Sequence, residues 1–276
     1  MSVAVLLAAS ALATMEPTFQ PAIRGFPDAP PRGEVTTPTD DIGPYLSGAL
    51  AGSMVTGSTS LGTLEAGSDL GWRGPRVGLG AIGSARMGRG AVDADGSGHL
   101  DRRERRSRWV ETAKRLEGDV RLDHRLGARH VIYGVAGALH DPFAGYALRT
   151  HEQAGLGRKL VDTASTDLVA EAGVDVAQER YVETVEAEDT SVVAARLWVG
   201  LAHRFDKVGW RQTIEVFENL QNHADLRVLH GAALVAPLGA GLALEPTHTL
   251  AWDHQPLEGY AALDQTTLLR LVASLR

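Results

Sequence analysis

Hydrophobic and charged residues alternate along most of this chain with a period of two. In LVAEAGVDVAQE, residues 168–179, Leu168, Ala170, Ala172, Val174 and Val176 fall on one face, and Glu171, Asp175 and Glu179 on the other. In VVAARLWVGLAHRF, residues 192–205, Val193, Ala195, Leu197, Val199, Leu201 and Phe205 share a face opposite Arg196 and Arg204. A helix would scatter both sets, whereas a pleated strand keeps each together. The polar stretch ETVEAEDTS between them predicts an antiparallel hairpin, with the acidic side of one strand beside the basic side of the other.

The same alternation sets Leu64, Ala66, Leu70 and Trp72 against Glu65 and Asp69, and Val77, Leu79, Ala81, Ala85 and Met87 against Arg86. Val110, Leu116, Val120 and Leu122 oppose Glu111, Arg115, Glu117, Asp119, Arg121 and Asp123, and Leu269, Leu271, Ala273 and Leu275 oppose Arg270 and Ser274. Twelve such segments fit between Tyr45 and Arg276, joined alternately by tight and longer links. A soluble sandwich would bury the apolar faces; a membrane barrel would turn them to lipid and the charges inward. Many segments run ~10 to 12 residues, the transmembrane length, where sandwich strands run ~5 to 6. The expectation is an all-β fold, an antiparallel transmembrane β-barrel of twelve strands over residues 44–276. It lies as a monomer in the lipid bilayer of the outer membrane. Glu65, Asp69, Arg115, Glu117, Glu171, Asp175 and Arg196 then line its lumen.

Composition adds exclusions. A net charge of −7 argues against a sequence-independent grip on nucleic acid. With no cysteine there is no disulfide framework and no thiolate chemistry. The run Val3–Ala13 is of signal-peptide length and ends in the small-x-small pattern Ala11-Leu12-Ala13, so residues 1–13 are expected to be removed on export. Residues 14–43 carry Pro17, Pro21, Pro27, Pro30, Pro31 and Pro38 with little periodicity, which suits an extended periplasmic linker.

The run YGVAGALHDPFAGYALRTHEQAGLGRKLVDT, residues 133–163, resembles the family of salt-induced outer-membrane proteins, a domain of unknown function. That family shows an Arg-Asp-x-Phe-x-Gly-Tyr hairpin, then Gly-x-Gly-Tyr and an Asp-Thr turn. Asp141, Phe143, Gly145, Tyr146, Gly155, Gly157, Asp162 and Thr163 stand at those places, with His140 for the arginine and Arg158 for the last tyrosine. EAGVDVAQERY, AARLWVGLAHRF and TTLLRLVASL are similar to its later strands. The resemblance implies a twelve-stranded outer-membrane barrel and supplies neither catalytic residues nor a substrate.

One stretch does not read as strand. DADGSGHLDRRE, residues 93–104, has the spacing of an EF-hand-like calcium loop. Asp93, Asp95 and Ser97 stand at positions 1, 3 and 5, the His99 carbonyl at 7, Asp101 at 9 and Glu104 at the bidentate position 12, with Gly98 at the sharp turn. Ca²⁺ takes six to eight oxygens, and this spacing wraps the chain around the ion to supply them. The flanks are not helical, and five arginines follow within residues 102–108, so a solvated hairpin loop with Asp-Gly and Ser-Gly turns is the alternative. Those arginines also suit the phosphates of lipopolysaccharide. The histidines form neither HxH nor HExxH, and nothing joins Ser191 and His203 into a triad, so no enzyme is expected. The functional expectation is envelope structure or small-solute passage, with calcium binding at a surface loop. The rivals are a calcium-dependent surface adhesion or binding module and, last, an outer-membrane hydrolase.

Overall fold

The structure, a computed structural model, describes residues 43–55, 60–91, 109–183, 188–239, 242–257 and 260–275. Twelve strands follow one another: β1 Gly43–Val55, β2 Ser60–Arg73, β3 Val77–Ala91, β4 Trp109–Arg125, β5 His130–Asp141 and β6 Tyr146–Asp162. Then come β7 Thr166–Tyr181, β8 Thr190–Phe205, β9 Val208–Asn219, β10 Leu226–Gly239, β11 Leu242–Asp253 and β12 Leu263–Leu275. Each pairs antiparallel with its sequence neighbours, and β1 pairs β12, so the sheet closes into a barrel. Closure removes every edge and satisfies the backbone polar groups, which a bilayer requires of any spanning sheet.

The connections after β2, β4, β6, β8 and β10 hold two to four residues, and those at the other end hold four to seventeen. The short turns carry their own stitching. Thr163 N donates to the Thr166 carbonyl at 2.9 Å and Thr163 Oγ1 accepts from Thr166 N at 2.9 Å, which accounts for the Asp-Thr turn. Both ends of the barrel seam, Gly43 and Leu275, lie at the short-turn end.

Large apolar side chains point out all round the wall. Leu64, Leu79, Met87, Leu116, Leu156, Leu197 and Leu271 are exposed, while the charged residues that alternate with them are buried. Water would not leave such a band open on a stable soluble protein, so the band is the lipid face. Trp72 and Phe205 near the short turns and Trp109 at the opposite end are exposed at interface levels. This is an outer-membrane β-barrel. Its strands are longer than the sequence suggested, reaching 17 residues in β4 and β6. At ~3.3 Å per residue and a tilt of ~40°, 17 residues rise about 43 Å, beyond the ~30 Å hydrocarbon layer.

One face assignment needs correction. Glu111 does not join the inward charges. The β3–β4 register shifts between Gly88 and Arg89, Thr112 is left without a Cα partner, and Glu111 comes opposite Arg89 on the exposed side. A bulge flips the parity of what precedes it, which alternation counted from Arg115 could not foresee. Residues 1–42 and 92–108 lie outside the described residues, and with them the expected signal peptide, all of the linker except Gly43, and the calcium loop. Gly43, assigned to that linker, already belongs to β1.

Candidate functional site

The lumen is built by strand alternation, which turns charged side chains into a closed space where each needs a partner. At mid-barrel, Arg121 of β4 grips Glu171 of β7 in two-pronged fashion, Nη2 to Oε1 at 2.7 Å and Nη1 to Oε2 at 3.2 Å. Arg121 Nε also donates to Asp123 at 2.9 Å. From the other side Arg196 of β8 donates to Glu171 Oε2 at 3.0 Å and pairs with Glu215 of β9. Tyr133 of β5 stands between the two guanidinium groups. Its hydroxyl accepts from Arg196 Nη1 at 2.7 Å, and Arg121 lies over its ring at 4.4 Å from the centroid. These five strands are thus tied across the lumen by one crossbar. Beside it, Val131, Val169 and Trp198 form an apolar cluster with Ala202 and Leu229 against it.

A second network sits nearer the long connections. Glu179 of β7 takes Arg149 at 3.3 Å, Arg227 at 2.9 Å and the Tyr181 hydroxyl at 2.6 Å. Arg227 reaches on to Asp225 at 3.3 Å and Asp253 at 3.4 Å. On the opposite wall Arg86 and Arg115 face each other across β3 and β4, an arrangement that repels unless each charge is matched. Glu65 holds Arg86 at 2.6 Å and Asp141 holds Arg115 at 3.2 Å. Glu65 also pairs with Arg270 of β12, across β1.

Between the crossbar and the long connections lies a cavity of about 270 Å³. Its wall mixes the two networks with Val135, Leu139, Phe217, Trp252 and Tyr260. Over it the β5–β6 corner meets the β11–β12 connection. Asp141 accepts from Ala144 N at 3.0 Å to start a 3-10 turn over Pro142–Ala144, and Gly145 ends the turn at φ +84°. A Cβ on Gly145 would lie 2.9 Å from Leu257 Cδ1 and 3.2 Å from the Tyr260 hydroxyl. The Asp-x-Phe-x-Gly-Tyr motif is therefore a corner that lets two connections from opposite walls touch above the lumen.

A family model described as protein of unknown function, DUF481, matches residues 50–275. The chain belongs to this family. No curated protein matches the sequence. Among solved structures, the DUF481 barrel is similar to the translocator domain of the autotransporter NalP from Neisseria meningitidis, at 14% identity and TM-score 0.43, covering 86% of this chain and 89% of that one. It is similar to the NanC porin at 8% identity and TM-score 0.49, covering 83% and 99%. It is also similar to the TodX monoaromatic hydrocarbon channel at 9% identity and TM-score 0.41, covering 86% and 90%.

The seven lumen residues expected from alternation all face the interior of the DUF481 barrel: Glu65, Asp69, Arg115, Glu171, Asp175 and Arg196 are buried, and Glu117 pairs with Arg115 at 3.3 Å. The expected calcium ligands Asp93, Asp95, Ser97, His99, Asp101 and Glu104 lie outside the described residues. Ser191 and His203 lie twelve positions apart on one strand and do not meet; His203 bonds Thr166 Oγ1 at 2.8 Å and packs edge-on against Phe205. Sequence reasoning missed Tyr133, which is 1% exposed at the centre of the crossbar, and the apolar cluster around Trp198. The nearest sequence cue to Tyr133 was the pair Gly155 and Gly173 on the neighbouring strands, where a Cβ would lie 2.6 and 2.7 Å from its hydroxyl.

Proposed function

We propose that this barrel admits small polar solutes into its lumen from the long-connection side and passes them through a constriction formed by the Arg121–Glu171–Arg196–Glu215 crossbar. The observation that supports this reading is the cavity of about 270 Å³, walled by charges of both signs and lying directly above the crossbar. Twelve-stranded walls leave a lumen that side chains can nearly fill, so passage is slow and selective rather than that of a wide pore. The long connections face the cell surface in this reading. The Asp93–Glu104 loop joins β3 to β4 at that same end, where it would take Ca²⁺ and where Arg102, Arg103, Arg105, Arg106 and Arg108 would meet lipopolysaccharide phosphates. A salt-induced envelope role, as the sequence resemblance suggests, fits a barrel whose traffic is limited by ion pairs.

Single-channel recording in planar bilayers tests the passage. The wild-type barrel should give small, discrete openings, and Glu171→Gln combined with Arg196→Gln should enlarge them. Silence from both proteins, each shown to be folded by heat-modifiable migration, would leave a plugged barrel with a purely structural role.

A further inference from the structure

The charges on the cavity wall do not balance. Five arginines line it, and each already has a carboxylate: Arg115 has Asp141, Arg121 and Arg196 share Glu171, and Arg149 and Arg227 share Glu179. Against these five stand seven carboxylates on the same wall. Counting arginines against carboxylates, the lining carries two negative charges in excess.

The excess has a location. Asp175 lies on the inward face of β7 between Glu171 and Glu179, and it is only 3% exposed. Its register partners are Gln153 and Ala194, and among the described residues no cation or hydrogen-bond donor meets its carboxylate. Asp264, near the start of β12, lines the same cavity and likewise has no cationic partner among the described residues. The Asp175 carboxylate is not sealed in the wall but faces the cavity, so its charge is left to whatever enters there. An incoming cation supplies what is missing.

The wall also indicates which kind of cation. Among the described residues, no three His, Asp or Glu side chains come together as a metal-holding group, whereas Ca²⁺ takes six to eight oxygens. Phe217, Leu229, Trp252 and Tyr260 instead supply apolar and aromatic surface in the same cavity. Aromatic faces attract ammonium groups, most strongly where water is excluded. The volume, just under the ~300 to 1,000 Å³ usual for small-molecule sites, limits the guest to a small molecule. We infer that the cavity binds a small organic ammonium ion, with Asp175 as its counter-ion and Phe217, Trp252 and Tyr260 against its apolar part. This rests on the solute-passage reading and gives its substrate a charge.

The test uses the full chain folded in detergent micelles, titrated calorimetrically with phenethylammonium and with phenylacetate, a charge-reversed probe of similar size. The ammonium should bind at least tenfold more tightly. Asp175→Asn should lose at least tenfold in that affinity while melting no lower than wild type, since it removes an unpaired buried charge; a merely structural Asp175 would show the opposite. Trp252→Ala should weaken the ammonium without moving the heat-modifiable band. Equal binding of the two probes, or unchanged binding by Asp175→Asn, would overturn the inference. Displacement of the bound amine by lower concentrations of Ca²⁺ than of the amine itself would also overturn it, in favour of a metal site. Should Asp175→Asn fail to fold, the preference of the wild type between the two probes still decides. Conduction is scored separately. Openings without ammonium binding refute this inference alone, and binding without openings refutes the passage reading alone.

Discussion

Arg121 and Glu171, fifty residues apart in sequence, close a two-pronged ion pair across the lumen from β4 to β7. Because Arg196 shares the same carboxylate, Glu171 bridges two buried guanidinium groups, whose second charge is matched by Asp123 and Glu215. Glu171→Lys therefore leaves Arg121 with Asp123 alone and Arg196 with Glu215 alone, and sets a third positive charge between them. Breaking a buried pair costs about 3–5 kcal/mol, and reversal should cost at least that. Val174→Leu, three positions along on the lipid face, should change stability by less than about 1 kcal/mol. Urea unfolding followed by the heat-modifiable band compares the two, and equal effects would mean that the faces are assigned wrongly.

Tyr133 sits where two strands come unusually close. A Cβ on Gly155 would meet the Ala172 carbonyl, Tyr133 Oη at 2.6 Å and Gly173 Cα at 2.8 Å. Gly155→Ala should push β6 from β7 or displace the tyrosine, costing about 1–3 kcal/mol. Gly134→Ala is the control, because its nearest neighbour would be the Gln153 carbonyl at 3.8 Å, ordinary contact. Matched melting points for these two variants would rule out a packing role for the close approach.

Gly145 allows the two connections to touch above the cavity. Gly145→Val combines a left-handed backbone angle with a collision against Leu257, so the contact should open while the strands below stay paired. The expected result is faster proteolysis in the 254–262 connection and noisier openings in bilayers, with heat-modifiable migration unchanged. Proteolysis at the wild-type rate would show that the corner does not hold that connection.

Calcium should act on a different part of the chain. If Asp93, Asp95, Ser97, the His99 carbonyl, Asp101 and Glu104 hold Ca²⁺, then about 10 mM calcium, tenfold above the upper end of the weak-site range, should protect residues 102–108 from trypsin. Glu104→Gln should abolish the protection, since position 12 gives two oxygens and a charge. Identical digestion with calcium and with chelator would leave this stretch a turn-rich loop.

The faces of β3, β4, β7, β8 and β12 were legible because each carries charges on one side and aliphatic residues on the other. β5 was not, because Val131, Tyr133, Val135 and Leu139 point in while Ile132, Ala136 and Ala138 point out. With both faces apolar, period two gives no direction. Hence Tyr133 escaped notice although its neighbours' glycines were in view. Glu111 was misplaced by one unpaired residue in β4. Asp175 was placed correctly in the lumen, but its lack of a partner could not be read, because the pairings of Arg121, Arg149 and Arg227 span several strands. They depend on the stagger of the closed barrel, which no single hairpin encodes.

Closure itself has a kinetic meaning. The register between β1 and β12 runs only from Leu46↔Leu275 to Ala51↔Arg270, six residue pairs, where β1 and β2 share thirteen. It is the shortest joint in the wall, and it links the chain's two most distant strands, which makes it the contact with the largest loop to close. The Glu65–Arg270 pair bridges that joint from β2 to β12. Folding should thus proceed hairpin by hairpin and finish there, with Arg270 docking on a Glu65 already anchored by Arg86. An unfinished barrel would wait as an open sheet until its last strand arrived, and the rate of that final latch would set the time the chain spends exposed to periplasmic proteases.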